Sequence, residues 1–228
     1  IPGRREGVLW EGKTMSGRMT ILVAFLVAWP AHAKDSVVQC ANLIYGGTHT
    51  SRCFSSEFLS AVQRETTIRT ERRFRSVKLS SAELFTHPFA VITGEADFHF
   101  TAKERENLKR YVLNGGFLLA SAGCSSARFD RAFHRELDHL FGANCLKPLA
   151  MDHPVFSTLR EIKELRLKQF TSEPRLQGLE VNGKIAVIYS HHGLNDTAHT
   201  EGCCCCGGNE ILNALEVNMN ILVYALLH

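Results

Sequence analysis

The chain has 228 residues, 45% of them hydrophobic and 21% charged, with a formal net charge of +3 from 26 basic and 23 acidic side chains. That is ordinary globular usage, with enough chain for a substantial core. So even a charge balance leaves no electrostatic footprint for nucleic acid or for a polyanionic membrane surface.

Residues 1–33 read as a targeting segment. Met15-Ser16-Gly17-Arg18 is a short positive start, Met19 to Trp29 an apolar run, and Pro30-Ala31-His32-Ala33 a small-x-small cleavage pattern. The residues before Met15 read as an over-extended start. The alternative, an N-terminal membrane anchor, suffers from an apolar run too short for a comfortable span. The expectation is an exported protein, periplasmic or extracellular, with no stable membrane span after signal cleavage and a single domain over 34–228. All eight cysteines follow the cleavage pattern, and an even number in an exported chain favours disulfides.

The elements follow from hydrophobic period and breakers. Gln39 to Tyr45 predicts a first strand, ending at Gly46-Gly47. Phe58, Leu59 and Val62 fall at helical spacing. Phe74 to Leu79 predicts a second strand, and Ser81 to Phe85 a helical turn that stops before Pro88. Phe89 to Gly94 is a continuous apolar strand. Thr101 and Glu104 form a capping box, and the helix they open stops at Asn114-Gly115-Gly116. Phe117 to Ala122 is a buried strand running into a turn at Gly123-Cys124-Ser125-Ser126. A helix follows with Phe129, Phe133, Leu137, Leu140 and Phe141 on one face. Asp152-His153-Pro154 is a turn, and residues 160–180 carry no clear period. Gly183 leads into a strand through Ser190, followed by His191-His192. Asn209-Glu210 predicts the cap of a last helix with Leu212, Leu215, Met219, Leu222 and Leu226 on its core face. Short apolar strands alternating with amphipathic helices give an α/β class with a mainly parallel sheet.

In an open parallel sheet, ligands bind beyond the carboxyl ends of the strands. Four strand ends here are polar or glycine-bearing: Gly46, Gly47 and His49; Gly94 and Glu95; Cys124 and Ser125; His191 and His192. Their convergence on one edge is the main functional signal. Cys124 sits where a strand meets a helix N-terminus, a position that favours a nucleophile or a bound anion. His191 or His192 is the candidate base, and Asp196 a candidate to orient it. A cysteine there is also consistent with a buried small hydrophobe.

The pieces Tyr45-Gly46-Gly47, Phe89 to Gly94, Leu108 to Tyr111, Asn114 to Leu118, Phe129-Asp130-Arg131, Asp152 to Phe156, Ala186 to Ser190 and Asn220 to Leu226 occur in the order of a known family. By them the chain resembles domain-of-unknown-function family 4159 over about residues 40–228. The resemblance implies a flavodoxin-like, class I glutamine amidotransferase-like three-layer sandwich, and no established activity. In amidotransferases of that fold a cysteine occupies the elbow after a strand and a histidine follows a later strand, matching Cys124 and His191 or His192. Two departures stand out. Ser125-Ser126 replaces glycine after the cysteine, and no glutamate lies two residues beyond either histidine.

The run Cys203, Cys204, Cys205 and Cys206 has two readings. It bridges to cysteines elsewhere, such as Cys40, Cys53 or Cys145. Or, with His199, His191 or His192, it forms a soft site for zinc or copper. The run is expected within reach of the carboxyl-edge pocket. The functional expectation is a non-enzymatic module for a small molecule or a protein partner in the cell envelope. The rivals are a cysteine-dependent hydrolase or amidase and a soft-metal protein.

Overall fold

The structure is a computed structural model, and it describes residues 37–46, 53–167, 169, 173–200 and 210–228, with the backbone of 49–50. These fall in the unit Asp35–His228. The targeting segment, Gly47 and the cysteine run at 203–206 lie outside the described residues.

The elements in order are β1 (Ala41–Tyr45), β2 (His49–Thr50), α1 (Glu57–Glu65), β3 (Arg75–Lys78), β4 (Phe89–Gly94), α2 (Ala102–Leu113), β5 (Phe117–Ala122), α3 (Ala127–Phe141), β6 (Lys147–Pro148), β7 (Leu176–Val181), β8 (Lys184–Ser190) and α4 (Ala214–Leu227). They form a sheet of order β2-β1-β4-β5-β8-β7-β6, with β3 also paired to β1. The pairs β1–β3, β1–β4, β4–β5 and β5–β8 are parallel, whereas β2, β6 and β7 run antiparallel to their neighbours. The carboxyl ends of β1, β4, β5 and β8 therefore share one edge.

Side-chain alternation divides the core between the two faces. Phe89, Val91, Phe117, Leu119 and Ile188 pack with α1 and α4. Ala90, Ile92, Leu118, Ala120 and Tyr189 pack with α2 and α3. Both faces being covered explains why β4 and β5 read as continuous apolar runs. Between α2 and α3, Arg105 grips the Glu136 carboxylate with Nε at 2.8 Å and Nη2 at 3.0 Å. The Glu136 side chain is only 1% exposed, so it needs that partner.

The ends of α2 follow the sequence closely. Thr101 accepts from the Glu104 N–H, and Glu104 Oε2 accepts from the Thr101 N–H at 2.8 Å. At the other end Gly116 N–H donates to Tyr111 O and Gly115 N–H to Val112 O, with Gly115 at φ +91°. That is a Schellman closure, which favours glycine at the left-handed position.

Two features differ from the sequence reading. β7 begins within the stretch 160–180 and is joined to β8 by Asn182-Gly183, both at positive φ. The Asn-Gly pair is a hairpin signal. The last helix begins at Ala214, not after Asn209-Glu210, and Leu212 is 60% exposed. The cause is bridging: Glu210 pairs with Gly193 and Ile211 with Leu167, which commits that backbone to an extended path. All residues from Val217 to Tyr224 are buried, so α4 has no single apolar stripe to read.

Candidate functional site at the carboxyl edge of the sheet

The elbow after β5 is left-handed. Cys124 lies at φ 50°, ψ 30°, and Ser125 at φ 52°. Two successive non-glycine residues in that region are uncommon, and such strain concentrates at functional sites. Ser126 closes the turn. Its Oγ accepts from the N–H groups of Arg128 and Phe129, starting α3, and donates to Glu95 O at 2.6 Å. The Cys124 thiol donates to Glu95 Oε1 at 3.4 Å. The Ser126 hydroxyl and the Cys124 thiol thus both tie the elbow of β5 to the end of β4.

Behind them the edge is packed tight. A Cβ on Gly94 would meet Tyr45 Oη at 2.3 Å and the Phe129 ring at 3.0 Å. Tyr45 Oη donates to Thr93 O at 2.9 Å, and burial pushes its phenol pKa upward. The Gly46 N–H donates to Glu104 Oε1 at 3.0 Å, so that donor is spent on the α2 cap.

Register places Ser121 opposite Ser190, so His191 continues beside Ala122, close to the elbow. His191 Nδ1 lies 3.3 Å from Asp130 Oδ1. Asp130, in the first turn of α3, also accepts from Tyr189 Oη at 2.6 Å. His134, one turn on, sets Nδ1 3.4 Å from the same oxygen and Nε2 3.0 Å from Gln177 Oε1. Burial alone would raise the Asp130 carboxyl pKa. Hydrogen bonds from His134, His191 and Tyr189 outweigh it and hold the group well below the usual carboxylate range. The same contact pushes His134 up to about 9 and raises His191. His192 is buried, and burial, followed by the charge of His191, lowers its pKa.

The loop after β8 is pinned across the edge. Leu194 N–H donates to Ser121 Oγ at 2.7 Å, Thr93 Oγ1 to Asn195 Oδ1 at 3.2 Å, and Ser55 N–H to Asn195 O at 2.8 Å. Asp196 is in the left-handed region and holds His199 Nδ1 at 2.8 Å. Burial raises the Asp196 pKa against that contact, which in turn raises His199. Asp196 therefore orients His199, while Asp130 orients His191.

Cys40, Cys124 and Cys145 are thiols, and Cys53 is disulfide-bonded. The expected bridges from the cysteine run to Cys40 or Cys145 are not formed. Burial pushes the Cys40 thiol up to about 12 and, with the Asp138 charge, the Cys145 thiol up to about 11. Among the described residues no three His, Cys, Asp or Glu side chains are placed to hold a metal ion. The zinc or copper reading rests on the run at 203–206, outside the described residues. The side chain of His49 is also outside them.

The model of one family, the domain of unknown function DUF4159, matches residues 39–226. The chain belongs to that family. No curated protein matches it. The DUF4159 match takes in the elbow, Asp130, His134 and both histidines after β8, so the whole carboxyl edge lies inside the family domain.

Of the residues singled out by sequence, the structure brings Glu95, Cys124, Gly94, Ser125 and His191 to one edge. Sequence reasoning missed Asp130, His134, Tyr189 and Gln177. Asp130 and His134 carried a readable signal, a carboxylate and an imidazole four apart on a helix. Tyr189 and Gln177 come from neighbouring strands and have no local signature.

Proposed function

We propose that this DUF4159 chain is an exported, non-enzymatic binding module with a flavodoxin-like, class I glutamine amidotransferase-like fold. Its site takes a small molecule or a partner segment in the cell envelope at the carboxyl ends of the strands. One observation carries the reading: the Cys124 thiol donates to Glu95 Oε1. A nucleophilic cysteine needs its proton taken by a base, and a thiol that donates to a carboxylate is held in the less nucleophilic form. The fold assignment is supported by strand order. Taken in chain order, β3, β1, β4, β5 and β8 stand as 2-1-3-4-5, the doubly wound arrangement that binds ligands at this edge.

The left-handed Cys124 favours a second reading, a thiol hydrolase or amidase that uses Cys124 with His191 or His192. Turnover separates the two. Wild type and Cys124→Ala are assayed on glutamine and on small amide and ester substrates. The binding module shows no turnover that depends on Cys124. Hydrolysis present in wild type and absent in Cys124→Ala would establish the enzyme instead.

A further inference from the structure

A patch of positive charge lies at the amino-terminal edge of the sheet, at the opposite end of the strands from the site. Between α1 and β3, residues 69–75 hold four arginines and one glutamate, a net +3. The whole chain also carries +3, so outside this loop its charges cancel. The charge of the whole chain therefore hides the patch. Local structure gathers it. Val38 N–H donates to Arg69 O at 2.8 Å and Glu71 N–H to Val38 O at 2.9 Å, so the loop is held against the chain before β1. Thr70 turns inward, 4% exposed, with its Oγ1 donating to Leu59 O at 2.8 Å. Arg69, Arg72 and Arg73 are exposed and line an open cleft of about 600 Å³ with Val37. Nearby Arg64 and Arg75 are neutralised by Glu57 at 2.9 Å and Glu83 at 2.5 Å. Among the described residues no carboxylate meets Arg72 or Arg73 in this way.

Two observations choose the partner. The arginines are spread over an open surface, which suits an extended anionic face better than a small enclosed ligand. The chain also enters the domain here, since Val37 lines the cleft and is 47% exposed. Before it in sequence stands the apolar run Met19 to Trp29. The intervening residues 30–36 can span no more than about 29 Å when fully extended. A bilayer that receives the run, as signal or as anchor, is therefore close to these arginines. Basic side chains beside a membrane-entering segment are drawn to anionic headgroups.

We propose that the Arg69–Arg73 face docks on an anionic phospholipid surface. Arg72 and Arg73 meet the headgroup phosphates, and Val37 enters the headgroup layer. The carboxyl edge, at the other end of the strands, is then turned away from the bilayer. The proposal goes beyond the reading of the carboxyl-edge site and shares only its cell-envelope setting. Vesicle binding and Cys124-dependent turnover report on the two separately.

Flotation of the full chain with vesicles tests it. One set is phosphatidylcholine alone, and the other contains roughly one third phosphatidylglycerol. The neutral set measures what the apolar run contributes by itself. Binding is expected to be about a hundredfold tighter to the anionic set, from three arginines near the surface. It should fall to the neutral level at about 0.5 M salt. Arg72→Gln with Arg73→Gln should weaken anionic binding about thirtyfold. Lys109→Gln with Lys147→Gln removes the same charge from exposed positions elsewhere and should weaken it less than about threefold. Equal binding to the two vesicle sets would overturn the proposal, as would equal losses in the two double variants. Binding of polyglutamate that depends on Arg72 and Arg73, with no binding to anionic vesicles, would overturn it in favour of an acidic protein partner.

Discussion

Replacing Phe129 by alanine is expected to lower stability by about 3–5 kcal/mol, as for other fully buried aromatic side chains. The ring is fully buried at the start of α3. It stacks on Phe133 with centroids 5.9 Å apart and meets Phe98 at 5.2 Å and Tyr45 at 6.4 Å. It also fills the space that Gly94 leaves open. Three elements that carry the site, β1, β4 and α3, therefore lean on one side chain. Urea unfolding measures the effect through the midpoint at unchanged slope. A loss below about 1 kcal/mol would mean that the packing behind the carboxyl edge is looser than described.

Asp130→Asn is expected to cost about 2–3 kcal/mol near neutral pH, since hydrogen bonds to a charged group are the stronger ones. The variant keeps the shape and removes the charge on which Tyr189, His134 and His191 converge. The pH dependence has a definite sign. His134 is raised in the folded state from 6.5 to about 9, so its stabilisation is full below about 6.5 and is lost as pH rises through about 9. Asp130 is depressed from 3.8, so its contribution is present above that value and lost as pH falls below it. The gap in stability between wild type and Asp130→Asn should be widest between about pH 4 and 6.5 and should narrow towards pH 9 and above. In the variant the His134 midpoint, followed by NMR, should return towards 6.5. A midpoint that stays near 9 would remove Asp130 as the cause of the shift.

The legible parts of this fold are those governed by local rules. The Thr101–Glu104 capping box, the Gly115-Gly116 stop and the continuous apolar runs of β4 and β5 are all present as read. The shared edge also follows from sequence, because parallel strands must end together. The start of α4 was not legible, because the bridges made by Glu210 and Ile211 are tertiary. β7 was hidden because its short strand lies in a charged stretch, although Asn182-Gly183 marked the turn after it. In the site, individual residues could be named but their pairings could not. Asp196 lies nearer His191 and His192 in sequence than Asp130 does, yet it turns to His199 while α3 brings Asp130 to His191. Pairing across elements depends on side-chain direction, which spacing alone does not carry.

Glu95 holds the Cys124 thiol, and alkylation kinetics test that contact most directly. The full chain, kept without reductant so that the Cys53 disulfide stays intact, is treated with iodoacetamide at pH 6.5, and labelling of the Cys124 peptide is timed by mass spectrometry. Free cysteine serves as the external standard and Cys145, whose thiol is pushed up to about 11, as the slow internal one. Cys124 is expected to react no faster than free cysteine, and Glu95→Gln to speed its labelling. Labelling of wild-type Cys124 well above the free-cysteine rate, and slowed by replacing His191 or His192, would contradict it and mark an activated nucleophile.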